Sequence, residues 1–244
     1  VDNTDQSDNA AALVTQDTLV IASGGPIGPL QVEAAGLAAS SSEGDIDIID
    51  LSGDLRVTQE TTILGAVDVD GLNASGDVCL DVLDGDLDLA QQVKGEEVAL
   101  RADGSVTLSG SADVSANRQT GTVSVEAGTQ IENSGSGIFA GRDVVLRGGS
   151  GVGPVSVEAD NLAADGGTGG AEVRDIAGGL RISELQTLKG GGDIVTGLTA
   201  SQDVSLEVVG GDLVIDEVVS SGTVTAVQAD GSIASNATVA GTDK

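Results

Sequence analysis

The side chains of this sequence that could do chemistry are carboxylates and little else. Histidine is absent and there is one cysteine, Cys79. That removes Ser-His-Asp and Cys-His nucleophilic catalysis and histidine-held metals together. The carboxylates do cluster. Asp45 and Asp47 flank Ile46, and a strand would project both from one face about 7 Å apart. Asp84, Asp86 and Asp88 alternate in the same way around Leu87. Such clusters suit two chemistries: an acid/base pair acting on a polysaccharide, or oxygen ligands for Ca²⁺ in an irregular loop. The run "DGDLD" (84–88) is therefore the candidate Ca²⁺ site, and no other cofactor is expected. Neither the EF-hand spacing nor the G-G-x-G-x-D nonapeptide is present. Trp and Tyr are absent too, which denies a sugar its usual stacking platform. The expectation is no catalysis, with a polysaccharide-acting enzyme as a remote alternative.

An internal repeat weighs on the same side. "IGPLQVEAAGLAASSSEG" from Ile27 is answered by "VGPVSVEADNLAADGGTG" from Val152, an offset of 125. Identical pairs include Gly28/Gly153, Pro29/Pro154 and Leu37/Leu162. One inserted residue later, "GLNASGDVCLDVLDGDL" (71–87) matches "GLTASQDVSLEVVGGDL" (197–213). The chain reads as two continuous copies of one unit, 1–125 and 126–244. Across that alignment Asp47 becomes Glu172, Asp84 becomes Gly210 and Asp88 becomes Val214, so no carboxylate cluster repeats intact. Glu33, Asp50 and Arg56 do recur, as Glu158, Asp175 and Arg181. With ten basic residues in the whole chain, an arginine kept in register with acids reads as a structural ion pair between neighbouring layers.

The elements that must position these residues are strands. Val78, Leu80 and Val82 alternate with Cys79 and Asp81, the period of a half-buried strand, and Val98 and Leu100 begin the next set. Gly, Asp, Ser and Asn bound each set as turn formers. No helical stripe is sustained anywhere. By the alternation Cys79 faces outward, and its counterpart Ser205 shows that it carries no shared role. Gly135–Ala140 fits G-x-G-x-x-A but leads into strand-like "DVVL" rather than the helix a dinucleotide needs. Asn73 and Asn236 begin glycosylation sequons.

Composition narrows the fold. Of 244 residues, 37 are glycine and one is Phe. A sandwich or barrel of this size fills its centre with aromatics, whereas a stack of small coils piles aliphatic residues into ladders. The expectation is an all-β parallel β-helix, a β-solenoid of roughly ten coils and about 50 Å. Alternating aliphatics and a mean hydropathy of +0.14 argue against disorder. The formal charge of −29 repels nucleic acid and anionic membranes, and it draws divalent cations or basic partners. No run approaches the roughly 18 apolar residues of a membrane span, so no direct membrane insertion is expected. The chain opens on Val1 without a signal-peptide pattern and reads as a processed product or a piece of something longer.

The stretch Leu162–Ile182, "GRDVVLRGG" (141–149) and "SQDVSLEVVGGDLVIDEV" (201–218) resemble the repeats of filamentous-haemagglutinin-type exoproteins and related giant bacterial surface adhesins. The resemblance covers most of the chain. It implies a right-handed parallel β-helix, an extracellular place on the bacterial cell surface and the role of a shaft or stalk. Implied partners are neighbouring repeats or subunits of the same protein, with host or cell-surface receptors as further candidates. The family's secretion-directing N-terminal domain has no match here. A self-assembling sheath, fibre or surface-layer subunit is the alternative.

Overall fold

The computed structural model describes residues 13–62, 67–189 and 192–241. Among them strand follows strand with no helix, and so nothing helical is long and apolar enough to cross a membrane. The strands form two 14-stranded sheets and two small two-stranded ones. Every pairing in the large sheets is parallel, and the two small sheets are antiparallel hairpins. The chain is a β-solenoid of about 11 turns.

Like residues stack because consecutive coils pair in register. Ile46, Val78, Val98, Val123, Val144 and Leu162 form one inward ladder. Ile48, Leu80, Leu100, Val125, Leu146 and Ala164 form the next. A third runs Leu72, Val93, Val114, Phe139, Val157, and there the one aromatic residue sits fully buried. Each interior Leu or Ile contributes about 1.5–3 kcal/mol by leaving water, and a narrow interior needs nothing larger. Val78, Leu80 and Val82 face in while Cys79 faces out, as do Val204, Leu206 and Val208 against Ser205.

Strand positions recur along with the sequence. Ile27–Glu33, Ile46–Asp50, Leu55–Val57 and Val78–Val82 have counterparts in Gly151–Glu158, Ala171–Asp175, Leu180–Ile182 and Val204–Val208. Each large sheet is interrupted at the matching place by a hairpin, 59–70 and 184–196. Position 125 lies inside Thr122–Ala127, a strand paired on both sides. The paired prolines Pro29 and Pro154 both follow a cis bond, and the glycines before them have φ of 102° and 107°. A Cβ at Gly28 would overlap the carbonyl oxygen of Asp47, and one at Gly153 that of Glu172, so the next coil passes too close for any side chain.

Candidate functional site

The carboxylates serve first at the corners of the coils. A corner aspartate accepts, through its side chain, the backbone N–H at the same place in the next coil. The N–H of Asp77 donates to Asp45 Oδ1 at 2.9 Å, and that of Glu97 to Asp77 Oδ1 at 3.1 Å. At the next corner Asp86 N–H donates to Asp54 Oδ1 at 3.0 Å and Ser105 N–H to Asp86 Oδ1 at 2.6 Å. The second copy does the same, with Val224 N–H on Asp203 at 3.2 Å and Ser232 N–H on Asp212 at 2.7 Å. These bonds hold the Asp203 carboxyl below its ordinary range, led by the Thr223 hydroxyl, and the Asp212 carboxyl likewise, led by the Ser232 N–H. The same contact explains the recurring Gly before the corner residue. A Cβ at Gly76 or Gly231 would collide with the carboxylate of Asp45 or Asp212 beneath it.

The candidate Ca²⁺ residues are employed in this way. Asp86 caps Ser105 from an exposed position, Asp88 accepts the Ser109 hydroxyl at 2.6 Å and pairs with Arg56 at 3.1 Å, and Asp84 stands exposed at the turn. Among the described residues no three or more Cys, Asp or Glu side chains converge as a metal site. Salt is therefore expected to act by screening the charge of −29, with NaCl and CaCl₂ at equal ionic strength raising the melting temperature alike. A specific rise at millimolar Ca²⁺ that Asp86→Asn removes would contradict this.

The ion pairs are not the ones expected. Arg56 bridges to Asp88 of the next coil rather than to Glu33 or Asp50, and Arg181 bridges to Asp216. Glu158 pairs with Arg118 at 2.9 Å. Strand parity is the reason. Leu55 and Val57 face inward, so Arg56 must face out, while Asp50 shares the inward side of Ile46 and Ile48. Asp50 and Asp175 are both fully buried. Each keeps one oxygen on a backbone donor, Ala34 N–H at 3.2 Å and Ala159 N–H at 3.5 Å, and Oδ2 of each has no partner. Burial raises their carboxyls to about 6 and about 7, against the pull of those N–H groups.

Comparison with protein-family models, curated proteins and solved structures finds no match to this chain. What the surface can do must be read from its geometry.

One face is built as a groove with a cover. Asp47, Cys79, Ala99, Ser124, Val145 and Ala163 stand in register on the outside of six successive strands, and the four after Asp47 and Cys79 are small or slender. Beside them runs an alternating row, Asp81, Arg101, Glu126, Arg147, Asp165. Hairpin 184–196 of the second copy lies along this groove. Leu185 and Val195 pack on Val145 and Ala163, and Leu188 N–H donates to Ser124 Oγ at 3.1 Å. Arg147 pairs with Asp193. Lys189 then reaches 142 residues back in sequence to sit 3.4 Å from both Asp47 and Asp81. Burial works against its charge, but Asp81 and Asp47 outweigh that and hold the ammonium above its ordinary range. Cys79 lies under this arm, and burial pushes its thiol up although Lys189 pulls it down. Nothing local in the sequence marks the reach of this arm, since Leu188 and Lys189 lie in the second copy and Ser124, Asp47 and Asp81 in the first.

Lys189→Met keeps the apolar stem and removes the charge that Asp47 and Asp81 share. It is expected to destabilise the chain by about 1–3 kcal/mol, the range for leaving a half-buried charge unpartnered. An unchanged urea midpoint would show that the arm adds nothing to stability.

Proposed function

We propose that this chain is a structural segment of an extracellular bacterial surface protein, a shaft that extends and spaces what it carries. Where the carboxylates go is the observation that carries this reading. An enzyme of this fold would gather them in a cleft. Here they are distributed along the stack, on corner amides, on arginines of adjacent coils and on Lys189, so each bond joins one coil to another. Aliphatic ladders run through the same coils inside. The second copy grips the first through hairpin 184–196, which ties layers far apart in sequence. Such a rod resists extension because pulling must break parallel ladders together. Partners consistent with the reading are further repeats of the same protein along the axis and a receptor at the tip of the parent molecule. The resemblance to haemagglutinin-type exoproteins, carried by the 162–182 and 201–218 motifs, supports the surface location.

Two assays test it. Antibodies raised against the folded chain should label intact, unpermeabilised source cells, and labelling seen only after lysis would contradict the surface role. Incubation with neutral and acidic polysaccharides should release no reducing ends, and release that Asp47→Asn abolishes would replace the shaft by an enzyme.

A further inference from the structure

The place that Lys189 covers in the first copy lies open in the second. Glu172, Ser205 and Ala226 stand in register on successive strands at the positions of Asp47, Cys79 and Ala99. In the row beside them Arg174 and Glu207 take the positions of Ile49 and Asp81. Both acids that hold Lys189 are therefore kept as acids, each one methylene longer, and the cysteine between them becomes a small hydroxyl residue. Exposure separates the two sites. Ala99 is 1 % exposed beneath the arm and Cys79 is half-buried, whereas Ala226 and Ser205 are exposed. Around Ser205 the surface sinks into a depression lined also by Pro154, Ser156, Glu172, Arg174 and Glu207.

The first copy shows what such a pair of acids holds when a segment lies over it. Leu188 gives its backbone N–H to the strand face, and the lysine that follows settles between two carboxylates. In the second copy Arg174 pairs with Glu207 at 2.9 Å. Among the described residues no basic side chain pairs with Glu172, which is exposed. One arginine against two glutamates leaves the depression negative. Asp203 adds to this from an adjoining hollow that it lines together with Glu172 and Ser205. A site of this kind still lacks one cation. A second copy of this chain is a poor source, because two molecules of charge −29 repel each other before they dock. The charge instead selects a basic protein.

We infer that the depression around Glu172, Ser205 and Glu207 is a docking site for a lysine-bearing extended segment of a basic partner protein. The partner's lysine lies between Glu172 and Glu207 as Lys189 lies between Asp47 and Asp81, and its backbone runs over Ser205 and Ala226. The contact reproduces between molecules what the arm makes within one. Long-range attraction by the acidic surface brings such a partner in, and the two glutamates fix where its lysine lands. The site lies on the flank of the stack, so it adds a lateral partner to the axial ones and stands or falls apart from the shaft reading.

The chain's own arm, as a free peptide of residues 183–197, is the probe, since the full chain already covers its first groove. Backbone amide resonances of the isotopically labelled full chain are followed while the peptide is raised to millimolar concentration. The expected result is a saturable shift confined to 172–174, 204–208 and 225–229. Glu172→Gln/Glu207→Gln should weaken binding by ~tenfold while the melting temperature holds, because both side chains lie outside the core and the Arg174 pair is screened by water. A peptide carrying Lys189→Met should lose a similar factor, and Arg174→Met in the chain should tighten binding by removing the competing cation. Shifts at 47–49 and 78–82 instead would show the peptide displacing the arm from the first groove, and would overturn the second site. Binding undiminished in the double variant, or no saturable shift at all, would overturn it too.

Discussion

Acidification from about pH 7 to about pH 4 is expected to stabilise this chain, and the double substitution Asp50→Asn/Asp175→Asn to abolish most of that gain. Burial raises both carboxyls in the folded state, to about 6 and about 7, from the ordinary aspartate value of 3.8. The folded chain therefore binds more protons than the unfolded one between those limits, so stability rises as pH falls. The gain is complete below the unfolded value near 4 and is lost as pH climbs through 6 and 7. At about 1.4 kcal/mol per pH unit, the two sites carry on the order of 3 and 4 kcal/mol. Below that window the corner carboxyls Asp203 and Asp212, which are held low, begin to protonate and reverse the trend. Asn keeps the acceptor for Ala34 or Ala159 and removes the buried charge, so the double variant should melt higher than wild type at pH 8. Urea midpoints from pH 4 to 8 provide the measurement. A profile of unchanged slope in the double variant would assign the pH dependence to the overall charge instead.

Gly153→Ala is expected to cost several kcal/mol where Gly178→Ala costs about 1, although both positions have φ near 100°. The difference is space. A methyl at Gly178 meets nothing within 4 Å, whereas at Gly153 it overlaps the Glu172 backbone carbonyl, which cannot swing aside as a side chain would. Forcing the coils apart there breaks ladder bonds on either side, so about 3 kcal/mol or more is added to the conformational cost. Gly28→Ala should behave like Gly153→Ala, because Asp47 O stands in the same place. Equal losses at Gly153 and Gly178 would mean that conformation alone, and not the close approach of coils, selects glycine in the doubled phrase.

Much of the fold was legible because its forces are local and periodic. Val78, Leu80 and Val82 announce an inward ladder, and a chain with one Phe can fill only a narrow interior. The doubled Gly-Pro phrase marks the tightest approach of consecutive coils. The same parity that places Cys79 outside also separates Asp50 from Arg56, so the grouping of those two with Glu33 followed spacing and overlooked direction. Asp86 and Asp88 look like cation ligands in sequence because corner capping and metal binding use the same residues in the same turns. Their true acceptor role depends on which amide or hydroxyl lies about 20 residues further along, Ser105 N–H for Asp86 and Ser109 O–H for Asp88, which only the stacking reveals. The groove was out of reach for a stronger reason. Lys189 and Asp47 are 142 residues apart, and the small residues between them look like ordinary solvent-facing strand positions until the hairpin covers them.

The second copy grips the first through this arm, and zero-length crosslinking tests that contact most directly. The chain has three lysines, Lys94, Lys189 and Lys244, and of the two among the described residues Lys189 is the one held between carboxylates of the opposite copy. Carbodiimide treatment of the dilute monomer, followed by proteolysis and mass spectrometry, should join the Lys189 peptide to the one bearing Asp47 or Asp81. Lys189 found linked only to neighbours such as Asp193, or left unreacted while Lys94 is consumed, would contradict the latch.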